Sequence, residues 1–411
     1  EQHFAEYAWK NADPELRRIF LHPDGSPYRA GERLKQPDLA RTLELIASQG
    51  ETSLYGGEIG KALVAQMERV GGYVTVADLE AYRPRAAQLV EIRYGDRRMV
   101  AMDRPTAGRP LLWRMRVLDR LPRFVDRADD VQAIAELLAA PVPGGPAGET
   151  EEGARRRLLS GSSVDLPARD IAERVRRRKS NLPRPPEAAV TNTTHFTVAD
   201  GHGTVVAVTQ TLGPYFGPGV VLPGYGMTFA STMGYLPDTD PSVQPSSSIV
   251  PLVVFDRDGK PEIALGGAGA ARIPGAVLQV LHHTLNRGLS LEAAVAEPRV
   301  TIDREGGKPV LRMEALDRPE ILAVAEELRR RGIAVNPVPE GQVLGRVHAV
   351  RRLPDGTWQG AADPRWFGEA VYPALPHPLP QQDSLRPQRR SGPRIAAGPA
   401  PQPLLLSVLG R

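Results

Sequence analysis

The segment NTTHFTVADGHGTVVAVTQTLG, residues 192–213, decides how the rest of the chain is read. His195–Asp200 and Thr204–Gln210 alternate with a period of two, and Gly201-His202-Gly203 joins them. Two such runs around a glycine-rich link predict a β-hairpin. At its head stand Asn192 and Thr193. A cut of the peptide bond before Thr193 would leave that residue with both a hydroxyl nucleophile and a free α-amine. An α-amine titrates at about pH 8, so it can take the hydroxyl proton near neutrality. One residue then serves as nucleophile and base, with no histidine needed. A β-branched residue is also an ordinary start for a strand, so the hairpin alone leaves both readings open.

Around the hairpin, the pattern is one of helices, then strands, then helices, then strands. Residues 36–50 predict a helix opened by Pro37 and Asp38, with Leu39, Leu43, Ile46 and Ala47 as its apolar stripe and Gly50 as its stop. A second helix covers about 57–70, and Thr75–Asp78 reads as a capping box. Residues 88–102 alternate like one edge strand. The proline-rich run 141–165 reads as a surface loop, and 166–178 as a basic amphipathic helix. Strands are expected at 248–255 and 261–265 around Asp258-Gly259, then helices at 275–287, from Ser290, and at 319–331. Two last strands cover about 343–351 and 357–362. This ordering is α+β rather than a βαβ repeat.

Composition narrows the chemistry. The 411 residues contain no cysteine, which excludes a disulfide scaffold, a thiolate metal site and a cysteine nucleophile. No GxSxG elbow, phosphate-binding loop or HExxH pair is present, and His282-His283 are adjacent on a helix and so diverge. Neither metal nor cofactor is expected. The net charge is only +4, too balanced to argue for nucleic acid, and Arg174–Lys179 reads as a solvated helix face. No run approaches the roughly 18 apolar residues of a membrane span. The chain starts at Glu1 without methionine or leader, which suggests an absent upstream segment. The tail after Pro373 is proline- and arginine-rich, with disorder expected.

The order and spacing of several motifs give the hairpin its meaning. They are Thr193–Asp200, Val206–Leu212, Phe216-Gly217 with Gly219, Pro245–Ser248, Gly266–Ile273, Pro298-Arg299 and Gly360–Arg365. Upstream, Gln36–Ala40, Tyr55–Gly57, Gly71-Gly72 and Asp78–Tyr82 join the series. Together they resemble the gamma-glutamyltransferase (glutathione hydrolase) family of N-terminal-nucleophile (Ntn) hydrolases, over about 1–105 and 190–370. The resemblance implies a four-layer αββα fold, made as one precursor that cuts itself between Asn192 and Thr193. Residues 1–192 would be the later part of the large chain, 193–372 the small chain, and 373–411 a tail; the two chains would stay together as a heterodimer. Thr193 would be the nucleophile and Thr211 the hydroxyl that supports it. Ser247 and Ser248 would hold the α-carboxylate of a γ-glutamyl group, and the N–H groups of Gly269 and Ala270 would form the oxyanion hole.

The departures bear on substrate. The family's first large-chain segment, including its carboxylate-binding arginine, has no counterpart in this sequence. The family's asparagine after the second threonine is Gly213 here, and its amine-holding acid falls at Tyr235, with Thr232 at the neighbouring lid position. The family's proline–serine–glycine loop reads Pro105-Thr-Ala-Gly108-Arg109, and alanine replaces glycine at 270. The expected reaction is hydrolysis or transfer of a γ-glutamyl amide, with water or an amine as acceptor. The alternatives are an acylase for glutaryl-type or other γ-linked amides, and an inactive member acting as a binding protein. A periplasmic or secreted site follows from the resemblance alone.

Overall fold

The computed structural model describes residues 12–29, 31–146, 148–180, 182, 192–231, 246–366 and 368–372, with only the backbone of Asn192. The N-terminal part is helical: α1 (Pro14–Phe20), α2 (Pro37–Gln49), α3 (Glu58–Arg69) and α4 (Val76–Ala81). Thr75 and Asp78 form the reciprocal capping box that opens α4. Strands β1 (Leu89–Tyr94) and β2 (Arg97–Met102) follow, then α5 (Gly108–Arg120), α6 (Arg127–Ala139), α7 (Glu151–Leu158) and α8 (Gly161–Arg176). The hairpin is β3 (Asn192–Ala199) and β4 (Val205–Gly213), and the short pair β5 (Val221–Leu222) and β6 (Met227–Thr228) comes after it. The remainder runs β7 (Leu252–Phe255), β8 (Pro261–Ala268), α9 (Ile273–Leu285), α10 (Leu291–Ala296), β9 (Val300–Glu305) and β10 (Lys308–Met313). It ends with α11 (Pro319–Arg330), β11 (Val335–Pro337), β12 (Arg346–Arg352) and β13 (Trp358–Ala361).

Six strands form one sheet in the order β1-β2-β7-β8-β12-β13, every neighbouring pair antiparallel. The pleat of β8 divides it into two faces. Ile263 and Leu265 join the main core with Leu112, Met115, Val277 and Leu281 of α5 and α9. Ala264 turns the other way, into a small cluster with Val100, Val253, Phe255 and Ala207 of the hairpin. Helices, sheet and hairpin therefore stack as successive layers, and β3 and β4 lie over β8 and β12. The outer side of the hairpin exposes Phe196, Val198 and Leu212. Residues on both sides of the Asn192–Thr193 bond build the central sheet, because β2 pairs with β7.

Several expectations need correction. Residues 88–102 are two strands, not one: Gly95, at φ +57°, turns the chain between them. The stripe of α2 is displaced. Leu43 is 57% exposed while Thr42 is buried, because the Thr42 hydroxyl donates to Asp38 O and to Tyr225 O across the interface. The stretch 141–165 is not a plain loop, since α7 lies inside it and α8 begins at Gly161. Pro167 sits within α8, a placement that sequence rules disfavour. The sheet β11-β10-β9 has no counterpart in the sequence reading. The tail from 373 onward lies outside the described residues.

Candidate functional site

Side chains along the hairpin alternate. Thr193, His195 and Thr197 point inward from β3, with Ala207, Thr209 and Thr211 from β4, while Thr194, Phe196, Gln210 and Leu212 are exposed. The register pairs Thr193 with Thr211, His195 with Thr209 and Thr197 with Ala207. Asn192 pairs with Gly213, so the ladder shifts between Asn192 and Thr193, and Leu212 is the extra residue. Gly213, at φ +88°, donates its N–H to Thr211 Oγ1 at 2.9 Å.

His195 fixes the hairpin against the sheet. Its ring is buried, Nδ1 lies 2.7 Å from Thr209 Oγ1, and a Cβ on Gly266 would sit 2.4 Å from its Cε1. Burial, helped by the nearby His348, pushes its pKa down to about 3, so the ring is neutral near pH 7. Thr197 and Ala207 thus lie toward Ala264, and His195 and Thr209 lie over Gly266. Thr193 and Thr211 continue that inward face one two-residue pitch beyond His195 and Thr209, and β8 ends at Ala268, one such pitch beyond Gly266.

There the chain turns through Gly269, at φ +126° and ψ +31°, and Ala270, at φ +54°. The second value lies in the left-handed region that glycine adopts freely, so the alanine costs about 1 kcal/mol. The turn leads into a 3-10 segment, Ala270–Arg272, and then into α9. N–H groups before a helix are aimed outward and suit a negative oxygen.

Ser247 and Ser248 stand just before β7. Ser247 N–H donates to Pro105 O at 2.7 Å, and its Oγ accepts from Ile249 N at 3.3 Å. With Ser246 they line a cleft of about 520 Å³ shared with Arg104, Arg109, Glu149, Glu151 and Arg157. Thr193, Thr211, Gly269 and Ala270 are not among its lining residues. The cleft's charges are paired: Arg109 with Asp103 and Glu151, and Arg157 with Glu149. Sequence reasoning missed this cleft because its second wall is α7 and the turns before it. Tyr235, Thr232 and Pro245 lie outside the described residues.

The motifs Pro298-Arg299 and Gly360–Arg365 supply a buried ion network rather than a pocket wall. Arg299 Nη2 is 2.8 Å from Asp363 Oδ2, and both side chains are almost wholly buried. Arg365 pairs with Glu314 at 2.6 Å and with Asp363 at 3.2 Å. Burial alone would raise the Asp363 pKa, but Arg299 and Arg365 outweigh it and hold the group below the ordinary carboxylate range. Arg174, Arg176 and Arg177, from the basic run, pair with Glu136 and Glu173. Among the described residues no group of three His, Asp or Glu is placed to hold a metal, and no helix is long and apolar enough to cross a membrane.

The chain is similar to known proteins over most of its length. The family described as Gamma-glutamyltranspeptidase matches residues 1–372. The Acylase ACY 1 proenzyme of Pseudomonas sp. (strain SE83) is 33% identical over 377 residues, 87% of this chain and 65% of the acylase. The Glutathione hydrolase proenzyme of Bacillus subtilis (strain 168) is 30% identical over 327 residues, 72% of this chain and 55% of that protein. The chain therefore spans less than two thirds of the length of these relatives. The crystal structure of cephalosporin acylase from Bacillus halodurans superposes with a TM-score of 0.71 at 23% identity, over 90% of this chain and 70% of that one. This last likeness is one of fold.

Proposed function

The chain belongs to the gamma-glutamyltranspeptidase family and has an α+β fold of the Ntn-hydrolase type, and on that premise we propose that it cleaves amide bonds through an acyl-enzyme on Thr193. The observation that carries this reading is the placement of Thr193 opposite Thr211, on the hairpin face that His195 seats against Gly266 of β8. The chain would first be cut between Asn192 and Thr193, giving two chains that remain associated. The freed α-amine takes the Thr193 hydroxyl proton as Oγ1 attacks the substrate carbonyl. The tetrahedral oxyanion is met by the N–H groups of Gly269 and Ala270. The C–N bond then breaks, the leaving amine takes the proton, and an ester remains on Thr193. Water or a second amine attacks that ester and restores the hydroxyl.

By the family resemblance Ser247 and Ser248, whose hydroxyls suit a carboxylate, would read the acyl tail, so γ-glutamyl amides such as glutathione are the first candidates. A second reading, an acylase for glutaryl-type amides, is favoured by Gly213 and Tyr235 standing where the family carries amine-reading groups. The acylase relative, at 33% identity, supports it. A site without partners for an ammonium discriminates weakly in its favour.

Intact mass of the expressed full protein tests the cleavage: two chains meeting at Asn192/Thr193 are expected, and a single uncut chain would count against it. Turnover of γ-glutamyl-anilide against glutaryl-anilide then separates the acyl readings. A processed protein acylated by neither would be the inactive, binding-type member.

A further inference from the structure

Leu344-Gly345-Arg346, which enters β12, stands in none of the motifs, yet it forms the floor beneath the Gly269 turn. A Cβ added to Gly269 would lie 2.8 Å from the Cα of Gly345, so the two backbones meet with no room for a side chain. Gly345 is itself at φ +83°, and a Cβ there would lie 2.8 Å from Ala276 Cβ and 3.5 Å from Ala268 O. The strand end that carries the candidate oxyanion donors therefore rests on one glycine.

Two arginines hold that glycine's loop. Arg299 Nη1 donates to Gly345 O at 2.8 Å, and Nη2 donates to Val295 O at 2.9 Å. The same Nη2 lies 2.8 Å from Asp363 Oδ2. Asp363 Oδ2 also accepts from Val347 N at 2.7 Å, two residues past the glycine. From the other side, Arg272 Nη1 donates to Val343 O at 2.8 Å and Nη2 to Gln342 Oε1 at 2.7 Å. Arg272 belongs to the same turn as Gly269 and Ala270, so the clamp closes on itself. A buried ion pair is a weak source of stability. A planar fork that also binds a glycine carbonyl fixes direction, which a lysine at the same place cannot do.

We propose that Arg299, held by Asp363, and Arg272 are positioning residues that orient the Gly269 and Ala270 N–H groups through Gly345. The inference rests on the reading of those two groups as the oxyanion donors. Loss of an interaction made only in the transition state lowers kcat and kcat/KM together and leaves KM nearly unchanged. A misdirected donor has the same signature.

The test uses Arg272→Lys, Arg299→Lys and Gln342→Ala in the full processed protein. Amide hydrogen exchange over residues 266–272 should quicken by about tenfold or more, against unchanged exchange in the hairpin, 193–213. With γ-glutamyl- or glutaryl-anilide, kcat should fall by about tenfold to a hundredfold with KM within about twofold. Lysine at 299 keeps the charge beside Asp363, so a purely structural role would be rescued by it and a directional one would not. Unchanged exchange at 266–272, or loss of protection shared equally by the hairpin, overturns the proposal. If Arg299→Lys fails to fold, Arg272→Lys and Gln342→Ala carry the same measurement. A wild-type protein that cleaves no amide sinks the functional reading, while the exchange result still decides the positioning.

Discussion

Thr193 and Thr211 are direct partners across the β3–β4 ladder, and the ladder slips at the bond just before Thr193. Directly opposed residues on one face bring their Cβ atoms to about 5 Å, within reach of a hydroxyl–hydroxyl contact. Thr211→Val keeps the shape and β-branching and removes the oxygen, which also accepts from Gly213 N. Processing at Asn192/Thr193 and acylation should each slow by about twofold to tenfold, the worth of one hydrogen bond between neutral groups. Time courses of chain cleavage by mass, followed by burst kinetics, check both.

Gly266→Ala should be disproportionately damaging for so small a change. The new methyl would fall 2.4 Å from His195 Cε1, and the ring is buried with Nδ1 held by Thr209. Overpacking of this kind costs about 1–3 kcal/mol. The expected result is a lower melting temperature, together with displaced Thr193 and reduced processing. A stable, fully processed Gly266→Ala protein would show that the hairpin is not seated on β8 in this way.

Stability should fall on acidification before the carboxylates titrate. The folded pKa of His195, about 3, lies below its ordinary value of about 6.5. The unfolded chain therefore binds the proton first. The stabilisation is fully present above pH 6.5 and is lost as pH falls from there toward 3. Burial of His283, whose pKa is pushed down to about 2, adds a contribution of the same sign, and so does that of His348, whose pKa burial also lowers. Asp363 is likewise lowered, but its contribution fades only below about pH 4. The melting temperature of His195→Gln should thus change less steeply between pH 6.5 and 4 than that of the wild type. Parallel curves for the two proteins would refute the assignment to His195.

Ser247→Ala and Ser248→Ala should divide KM from kcat. Groups that hold the acyl tail in both ground and transition states raise KM when removed and leave kcat largely intact. A rise of about tenfold in KM is expected for each, from one hydrogen bond to a carboxylate. Initial rates on an acyl donor lacking the terminal carboxylate should be insensitive to both changes.

The hairpin was legible because its period-two alternation and its Gly201–Gly203 link state one local conformation. The helices at 37–49, 58–69 and 319–330 were legible for a similar reason, each closing at a glycine or a glycine pair. Features set by distant partners were not. Thr42 is buried because Tyr225 O accepts its hydroxyl, which no spacing within α2 records. Pro167 lies inside α8 against local preference. The turn at Gly95-Asp96 went unread although glycine is a turn signal and the alternation of β1 stops there, since β2 buries four successive residues, Met99–Met102. At the site, Thr193, Thr211, Gly269 and Ala270 could be singled out by motif, but Gly345 could not. Its role exists only where β12 is laid beside β8, pairing Arg346 with Ala268.

The pairing of β2 with β7 carries one more consequence. Those hydrogen bonds join residues upstream of Asn192 to residues downstream of Thr193 in the centre of a sheet. A cut between the two threads no solvent into that seam, so the halves stay bound as long as the native state persists. Once unfolded, however, they part as separate molecules. Refolding becomes a second-order event, and recovery from heat or urea should depend on protein concentration after processing though not before it.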